Sequence, residues 1–431
     1  MAELTLTSES SLVVIAEPGG WRLELQDGRS PGTSSEPSAD PTSDVGAGAS
    51  RWLVDQLIDG QETLLPGGFQ LHRFGPPATS PPPGERSITS DQTNRSVVIG
   101  EQLVVKWLHR VDDVENPVLR TLRQLAEVGF DAVPPSFGAL TWRAPSARDL
   151  PCALVTGFLP GAVGGWQWCV EALESGQRPS FAAELGSLVA KLHVALGTPS
   201  ALLPLPMLAV GTAQMGTWHS QARQRLDDLA EQISALDDAP AGRFGTRPRQ
   251  VPSAGLAGHR KEMESVLDRL LDVRGRTPVQ LIHGDLHVGQ ILSRPGGLSV
   301  IDFDGSPVRD VTTAERQPAA RDVAQLLLSI DHVGRIVDRR SGFTRTAEIN
   351  AWSTIARAEF LATYRAELAQ VERPDVLDTR LLAPFLVDQV ARDLLYAIRF
   401  LPRWGYATID ALETILNDLP VPLPPPEQVP K

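Results

Sequence analysis

Two acidic motifs lie close together in this chain: His283-Gly284-Asp285-Leu286-His287-Val288-Gly289-Gln290 and Ile301-Asp302-Phe303-Asp304-Gly305. Between them, Ile291-Leu292 and Leu298-Ser299-Val300-Ile301 read as two short strands, and Arg294-Pro295-Gly296-Gly297 supplies a turn to join them. A hairpin of this kind returns Asp302 to the side of the Asp285 loop, so any fold must let the two motifs meet. Phosphoryl transfer needs a carboxylate beside the attacking hydroxyl and further oxygen ligands for magnesium on the phosphates. Asp285 is the candidate for the first role, and Gln290 and Asp302 for the second. The plain alternative is a surface turn rich in Asp and Gly. Two motifs in this order and at this separation count against it.

At 431 residues the chain exceeds the usual size of one core, so two or three subdomains are expected. Its 42% hydrophobic and 21% charged residues fit a globular chain. The formal net charge of -12 argues against a general nucleic-acid binder, which needs a basic face. Cys152 and Cys169 are the two cysteines, too few for a disulfide framework or a zinc pattern. Met1-Ala2-Glu3-Leu4 has neither a basic segment nor an apolar one behind it, and no apolar run is long enough to cross a bilayer. The expectation is a cytoplasmic protein with no membrane partner, and a monomer is favoured.

Strand-like pieces occupy residues 12–16, 21–25, 51–54 and 68–73, broken by a Gly/Ser/Pro/Asp-rich stretch at 27–50 that reads as a loop. A proline-rich stretch at 76–84 follows. Residues 96–99 and 102–108 read as paired strands, 117–128 as a helix, and 152–159 as a buried strand. Helical spacing then recurs at 181–196, 261–273, 319–333, 351–368, 381–401 and 408–416, with a Pro/Gly/Arg-rich insertion at 237–257.

The two acidic motifs resemble the catalytic and metal loops of the aminoglycoside phosphotransferase-like, protein-kinase-like superfamily. The form His-Gly-Asp-Leu-His-x-Gly-Gln is similar to that of bacterial maltokinases and actinobacterial glucosamine kinases. Most of the superfamily has Asn where this chain has Gln290. The resemblance implies an α+β, bilobal protein-kinase-like fold. Residues 1–88 would form an N-terminal β-rich cap, 89–161 the nucleotide-binding N-lobe, and 162–431 a mostly helical C-lobe with the catalytic and metal loops and the sugar site. It implies Asp285 as the catalytic base, Gln290 and Asp302 as ligands of Mg2+, and ATP as co-substrate.

On the nucleotide side, Gln92-Thr93-Asn94-Arg95-Ser96 resembles a Gln-Ser-Asn-Thr-Ser segment of maltokinases, which implies that Gln92, Thr93, Asn94 and Ser96 contact phosphates. Lys106 alternates with Val104, so it is either a phosphate-binding lysine facing the cleft or a strand-end surface lysine. Glu115 is the candidate carboxylate partner, because Arg120 stands where maltokinases carry Glu. Val155, Gly157 and Phe158 belong to a candidate hinge whose backbone would read the adenine edge.

On the substrate side, His287 and Asp304 flank the catalytic and metal loops. Asp304 follows Asp302 by two and would share its side on extended backbone. The last long helix holds Arg392, Asp393, Tyr396 and Arg399, of which 392, 396 and 399 share a helical face. Tyr396 suits stacking on a pyranose and Asp393 suits an amine; a salt-bridged packing face is the alternative. Maltokinases use an equivalent Tyr-x-x-Arg pair on their sugar, but Phe400 to Tyr406, which includes Trp404, departs from their pattern. The expected activity is ATP- and Mg2+-dependent phosphorylation of glucosamine to glucosamine 6-phosphate. Maltose phosphorylation, aminoglycoside phosphorylation and a nucleotide-binding pseudokinase scaffold remain alternatives.

Overall fold

A computed structural model describes residues 2–8, 10–18, 20–27, 48–59, 63–75, 80–88, 94–113, 116–176, 179–238, 253–305, 316–400 and 405–418. The chain forms two compact units, divided after Ala162.

The first unit contains β1 (Ala2–Thr7), β2 (Ser10–Glu17), β3 (Gly20–Asp27), α1 (Ala49–Asp59), β4 (Leu64–Leu65), β5 (Phe69–Arg73), β6 (Glu85–Ser87), β7 (Arg95–Ile99), β8 (Leu103–Trp107), β9 (Arg110–Asp112), α2 (Val118–Glu127), β10 (Ser136–Arg143) and β11 (Asp149–Gly157). Two sheets result, in the orders β1-β2-β3-β9 and β4-β5-β10-β11-β8-β7-β6. The boundary expected at residue 88 does not separate two cores. β5 pairs with β10, β3 pairs with β9, and Trp107 donates its indole N–H to Ser50 at 2.9 Å. Leu4, Leu53, Phe69, Val105, Leu140 and Val155 belong to one continuous apolar cluster, and a cluster drawn from both segments is what buries enough surface to hold either.

Residues 51–54, expected as a strand, lie inside helix α1. Its buried positions Ser50, Leu53, Val54 and Leu57 follow a period of 3.6, which a four-residue window cannot separate from alternation. Strand β10 had no counterpart in the sequence reading. The stretch 27–50 lies mostly outside the described residues.

The second unit contains β12 (Val163–Gly164), α3 (Gly165–Glu174), α4 (Phe181–Leu196), β13 (Leu208–Val210), α5 (Thr212–Asp238), α6 (Ser253–Asp272), β14 (Thr277–Val279), β15 (Ile291–Arg294), β16 (Gly297–Val300), α7 (Ala320–Arg340), α8 (Thr346–Gln370), α9 (Leu382–Phe400) and α10 (Gly405–Asn417). Helix α7 is buried on most of its circumference, and α3, α8, α9 and α10 pack around it. Helix α5 has no counterpart in the sequence reading, although Met215, Trp218, Ala222, Leu226, Leu229 and Ile233 are buried at three- and four-residue steps. The insertion expected over 237–257 lies mostly outside the described residues, and α6 begins within it at Ser253.

Candidate active site

The expected hairpin is present. β15 and β16 pair antiparallel with Ile291 opposite Val300 and Arg294 opposite Gly297. The next bond of the ladder runs from the Ile301 N–H to the Gln290 carbonyl at 2.9 Å. Gln290 is therefore held one residue from Asp302. The backbone at Asp302 is left-handed, with φ 70°, a conformation that costs a non-glycine residue of order 1–3 kcal/mol. Extended backbone from 302 to 304 was expected; the chain instead turns at Asp302, so the alternation argument for Asp304 does not hold. Asp304 is half-buried in the turn that follows.

The catalytic loop is held from inside. His283 is buried; its Nε2–H donates to the Ile301 carbonyl at 2.8 Å, and its Nδ1 accepts the Asp285 N–H at 3.3 Å. One imidazole thus ties the Asp285 loop to the strand that delivers Asp302. Gly284 sits at φ 83°, where a side chain would be strained. Asp322, near the start of α7, accepts the N–H of His283 at 2.8 Å and of Gly284 at 2.9 Å. Its Oδ2 also lies 3.1 Å from His193 Nε2 on α4, and His193 Nδ1 lies 2.7 Å from the Tyr364 hydroxyl on α8. An ionised Asp322 can only accept, so His193 donates to it from Nε2. Burial alone would push the Asp322 carboxyl up, but bonding and charge from His193, with His283 and the Gly284 N–H, hold it below the usual carboxylate range.

Around Asp285, Gln325 of α7 donates its amide N–H to Oδ1 at 2.7 Å. His287 Nε2 stands 4.0 Å from Oδ2. His287 Nδ1 accepts the Gly289 N–H at 3.0 Å, and burial holds the imidazole below its usual pKa despite Asp285. A neutral His287 therefore turns an N–H toward Asp285. Trp166 of α3 stacks on this ring, with centroids 5.8 Å apart. That stacking needs α3 to begin against the loop, and a Cβ at Gly165 would lie 1.6 Å from the Val288 carbonyl oxygen. Gln325, the His193 and Tyr364 pair behind Asp322, and Trp166 as a ring partner were not legible as site residues, because each acts through a contact distant in sequence.

From α9, Asp393 and Tyr396 are both sensitive to the charge of Asp285. Burial, reinforced by Asp285 against a hydrogen bond from Gln389, pushes the Asp393 carboxyl up to about 7. Burial and Asp285 also raise the Tyr396 hydroxyl. Arg392 is tied elsewhere: with Arg225 and Arg321 it surrounds the buried Asp388 carboxylate, at 3.3, 2.7 and 3.1 Å. Burial pushes Asp388 up, but the three guanidinium groups outweigh it and hold the carboxyl far below its usual range. Arg392 so belongs to the salt-bridged packing face named as the alternative. Arg399 is exposed near the helix end. Trp404 lies outside the described residues.

In the first unit, Lys106 stands between Ser96 on β7 and Leu154 on β11. It shares a half-buried face of β8 with Val104, while Leu103, Val105 and Trp107 fill the core. Ser96 is buried, and Asn94 Oδ1 accepts the His109 N–H at 3.2 Å. Gln92, Thr93 and Glu115 lie outside the described residues. Val155 is a buried core residue. The Gly157 N–H bonds to the Pro135 carbonyl and the Phe158 N–H to that of Gln102, both at 2.8 Å. Each residue has one amide donor, so these two N–H groups are already engaged within the first unit.

The second unit thus presents an acidic loop braced by α7 beside a hairpin carrying oxygen donors, which defines a phosphotransferase site. The chain belongs to the phosphotransferase enzyme family, whose model matches residues 85–340. It is 33% identical to a glucosamine kinase of Streptacidiphilus jiangxiensis over 454 aligned residues, covering 96% of each chain. It is 30% identical to a glucosamine kinase of Mycolicibacterium smegmatis (strain ATCC 700084 / mc(2)155), covering 92% of this chain and 98% of that one. A solved structure of a glucosamine kinase in complex with glucosamine, ADP and inorganic phosphate superposes with a TM-score of 0.76 at 31% identity, covering 97% of this chain and 94% of that one. The fold is the bilobal, protein-kinase-like α+β fold. Among the described residues, no helix is long and apolar enough to cross a membrane.

Proposed function

We propose that this chain is an ATP- and magnesium-dependent sugar kinase that converts glucosamine to glucosamine 6-phosphate. The observation that carries the proposal is the Asp285 carboxylate, fixed by Gln325 at 2.7 Å beside the hairpin that carries Gln290 and Asp302, with Asp393 on α9 within reach of its charge. Two acidic groups beside one acceptor site suit a sugar that brings a hydroxyl to one and an ammonium to the other. The glucosamine kinases to which the chain is similar support the same choice.

In this reading Asp285 accepts the proton of the sugar's primary hydroxyl. The hydroxyl oxygen attacks the γ-phosphorus in line, a P–O bond forms, the bond to the β-phosphate oxygen breaks, and ADP leaves. Asp393 is ionised by the approaching ammonium and fixes the sugar's orientation, and Tyr396 offers its ring to the pyranose. Lys106 and Ser96 on adjacent strands serve the phosphates.

The residues fit magnesium. The Gln290 amide and the Asp302 carboxylate are hard oxygen donors on neighbouring positions of the hairpin, and magnesium takes few protein ligands beside phosphate oxygens. When bound, it neutralises charge on the transferring phosphates. Asp302 and Gln290 are the residues that would hold it.

Coupled ADP release tests the function. Glucosamine is expected to give turnover while maltose and kanamycin give little. Efficient turnover of maltose or kanamycin would replace glucosamine as substrate, and no turnover with any of them would favour a nucleotide-binding scaffold.

A further inference from the structure

One face of α7 grips the catalytic loop at residues 283, 284, 285 and 288. Asp322, Gln325 and Ser329 stand at i, i+3 and i+7, a single helical stripe. Asp322 takes the His283 and Gly284 N–H groups, Gln325 takes the Asp285 carboxylate, and Ser329 accepts the Val288 N–H at 3.1 Å. Two of these grips end on backbone. The Gln325 grip ends on a side chain that is itself a reacting group in the reading above. Its amide nitrogen must face Asp285, because an ionised carboxylate accepts and does not donate. At 2.7 Å this is a full hydrogen bond to Oδ1. On the other oxygen, His287 Nε2 at 4.0 Å is beyond hydrogen-bond range.

We propose that Gln325 is a positioning residue that ties down Oδ1 of Asp285 and so makes Oδ2 the oxygen that accepts the sugar's proton. The inference rests on Asp285 being the base. Free rotation about the Cβ–Cγ bond would exchange the two oxygens and blur the direction of the open lone pair. A fixed amide donor removes that freedom, and reaction rates fall steeply when a reacting atom is misplaced by an ångström. The other titratable groups facing Asp285 are His287 on its own loop and Asp393 and Tyr396 on α9. All three are kept in the test.

The test uses the full chain with glucosamine and ATP, and compares Gln325→Met and Gln325→Glu with the native protein. In Gln325→Met, kcat is expected to fall roughly 10- to 100-fold with the KM for ATP unchanged. The acid limb of its kcat–pH profile moves to higher pH, because Asp285 has lost a donor to its charged form. In Gln325→Glu the limb moves further, because a second carboxylate opposes ionisation. A limb that stays in place in both variants overturns the proposal, whether or not kcat falls, since packing alone would leave it unmoved. Gln325→Glu keeps the size of the side chain and decides the matter if Gln325→Met does not fold. Asp285→Asn is measured alongside. Normal turnover there removes the base assignment and this inference with it; an inactive Asp285→Asn with native-like Gln325 variants removes the positioning role alone.

Discussion

The carboxylate of Asp322 lies 2.9 Å from the Gly284 nitrogen and accepts its N–H, next to a second bond from His283 at 2.8 Å. The loop that carries Asp285 therefore hangs on the first turn of α7. Asp322 in turn is held by His193 and, through it, by Tyr364, so three helices converge on two peptide groups.

Asp322→Ala leaves two buried N–H groups and His193 without their acceptor. Hydrogen bonds to a charged group contribute about 1.5–3 kcal/mol each, so a fall in melting temperature of several degrees is expected in a thermal melt. Turnover should drop with the KM for ATP little changed. A variant with native melting and native kcat would show that the loop keeps its shape without this brace.

Asp285→Asn removes the proton acceptor and keeps the side-chain volume. General-base catalysis contributes about 10²–10⁴-fold, and turnover is expected to fall by that much. ATP binding, followed by calorimetry, should stay close to native. Native turnover would end the assignment of Asp285 as base.

Asp393→Asn should raise the KM for glucosamine roughly 10- to 100-fold, the loss of one charge-assisted hydrogen bond. The sign of the pH effect follows from the raised carboxyl. Only ionised Asp393 pairs with an ammonium, and in the free protein ionisation is complete only above about 7. The kcat/KM for glucosamine should therefore rise from pH 6 towards 8 in the native protein, with a smaller rise in Asp393→Asn. For stability the sign is opposite: a carboxyl raised on folding makes the folded state less favoured as pH climbs from the unfolded carboxylate value to about 7. Identical pH profiles in the two proteins would remove Asp393 from the sugar site.

Asp302→Gly relieves a left-handed backbone at φ 70° and deletes an oxygen donor. Relief of such strain is worth up to about 1–3 kcal/mol, so the melting temperature should be unchanged or higher while magnesium-supported turnover is lost. Chelation with EDTA should silence the native protein, and added Mg2+ should restore it. A fully active Asp302→Gly would take the metal-ligand role away from this residue.

The catalytic hairpin was legible because its parts are local. Alternating Ile291-Leu292 and Leu298 to Ile301, joined through Pro295, Gly296 and Gly297, can close only one way, and Gly296 and Gly297 do take positive φ of 95° and 126°. Helices α4, α6, α7, α8, α9 and α10 were also legible, since their apolar residues recur at helical spacing over many residues. Helix α1 was not, because four residues around Leu53 satisfy both periods. Gln325 gave no signal either. It is one more polar residue on an amphipathic helix until the fold sets Asp285 against it.

The sequence by itself determined the chemistry on offer and the order of its parts: Asp285, then Gln290, then Asp302, closed by a turn whose short range leaves little conformational choice. Tertiary structure decided which groups surround them. It brought Asp322, Gln325 and Ser329 of α7 under the loop and Asp393 and Tyr396 of α9 towards it, and set Arg225 and Arg321 against the Asp388 that Arg392 meets on its own helix. Local propensity sees only near neighbours along the chain. Hydrogen bonds between residues 38 to 171 positions apart arise only once the burial of apolar surface has fixed which helices lie side by side.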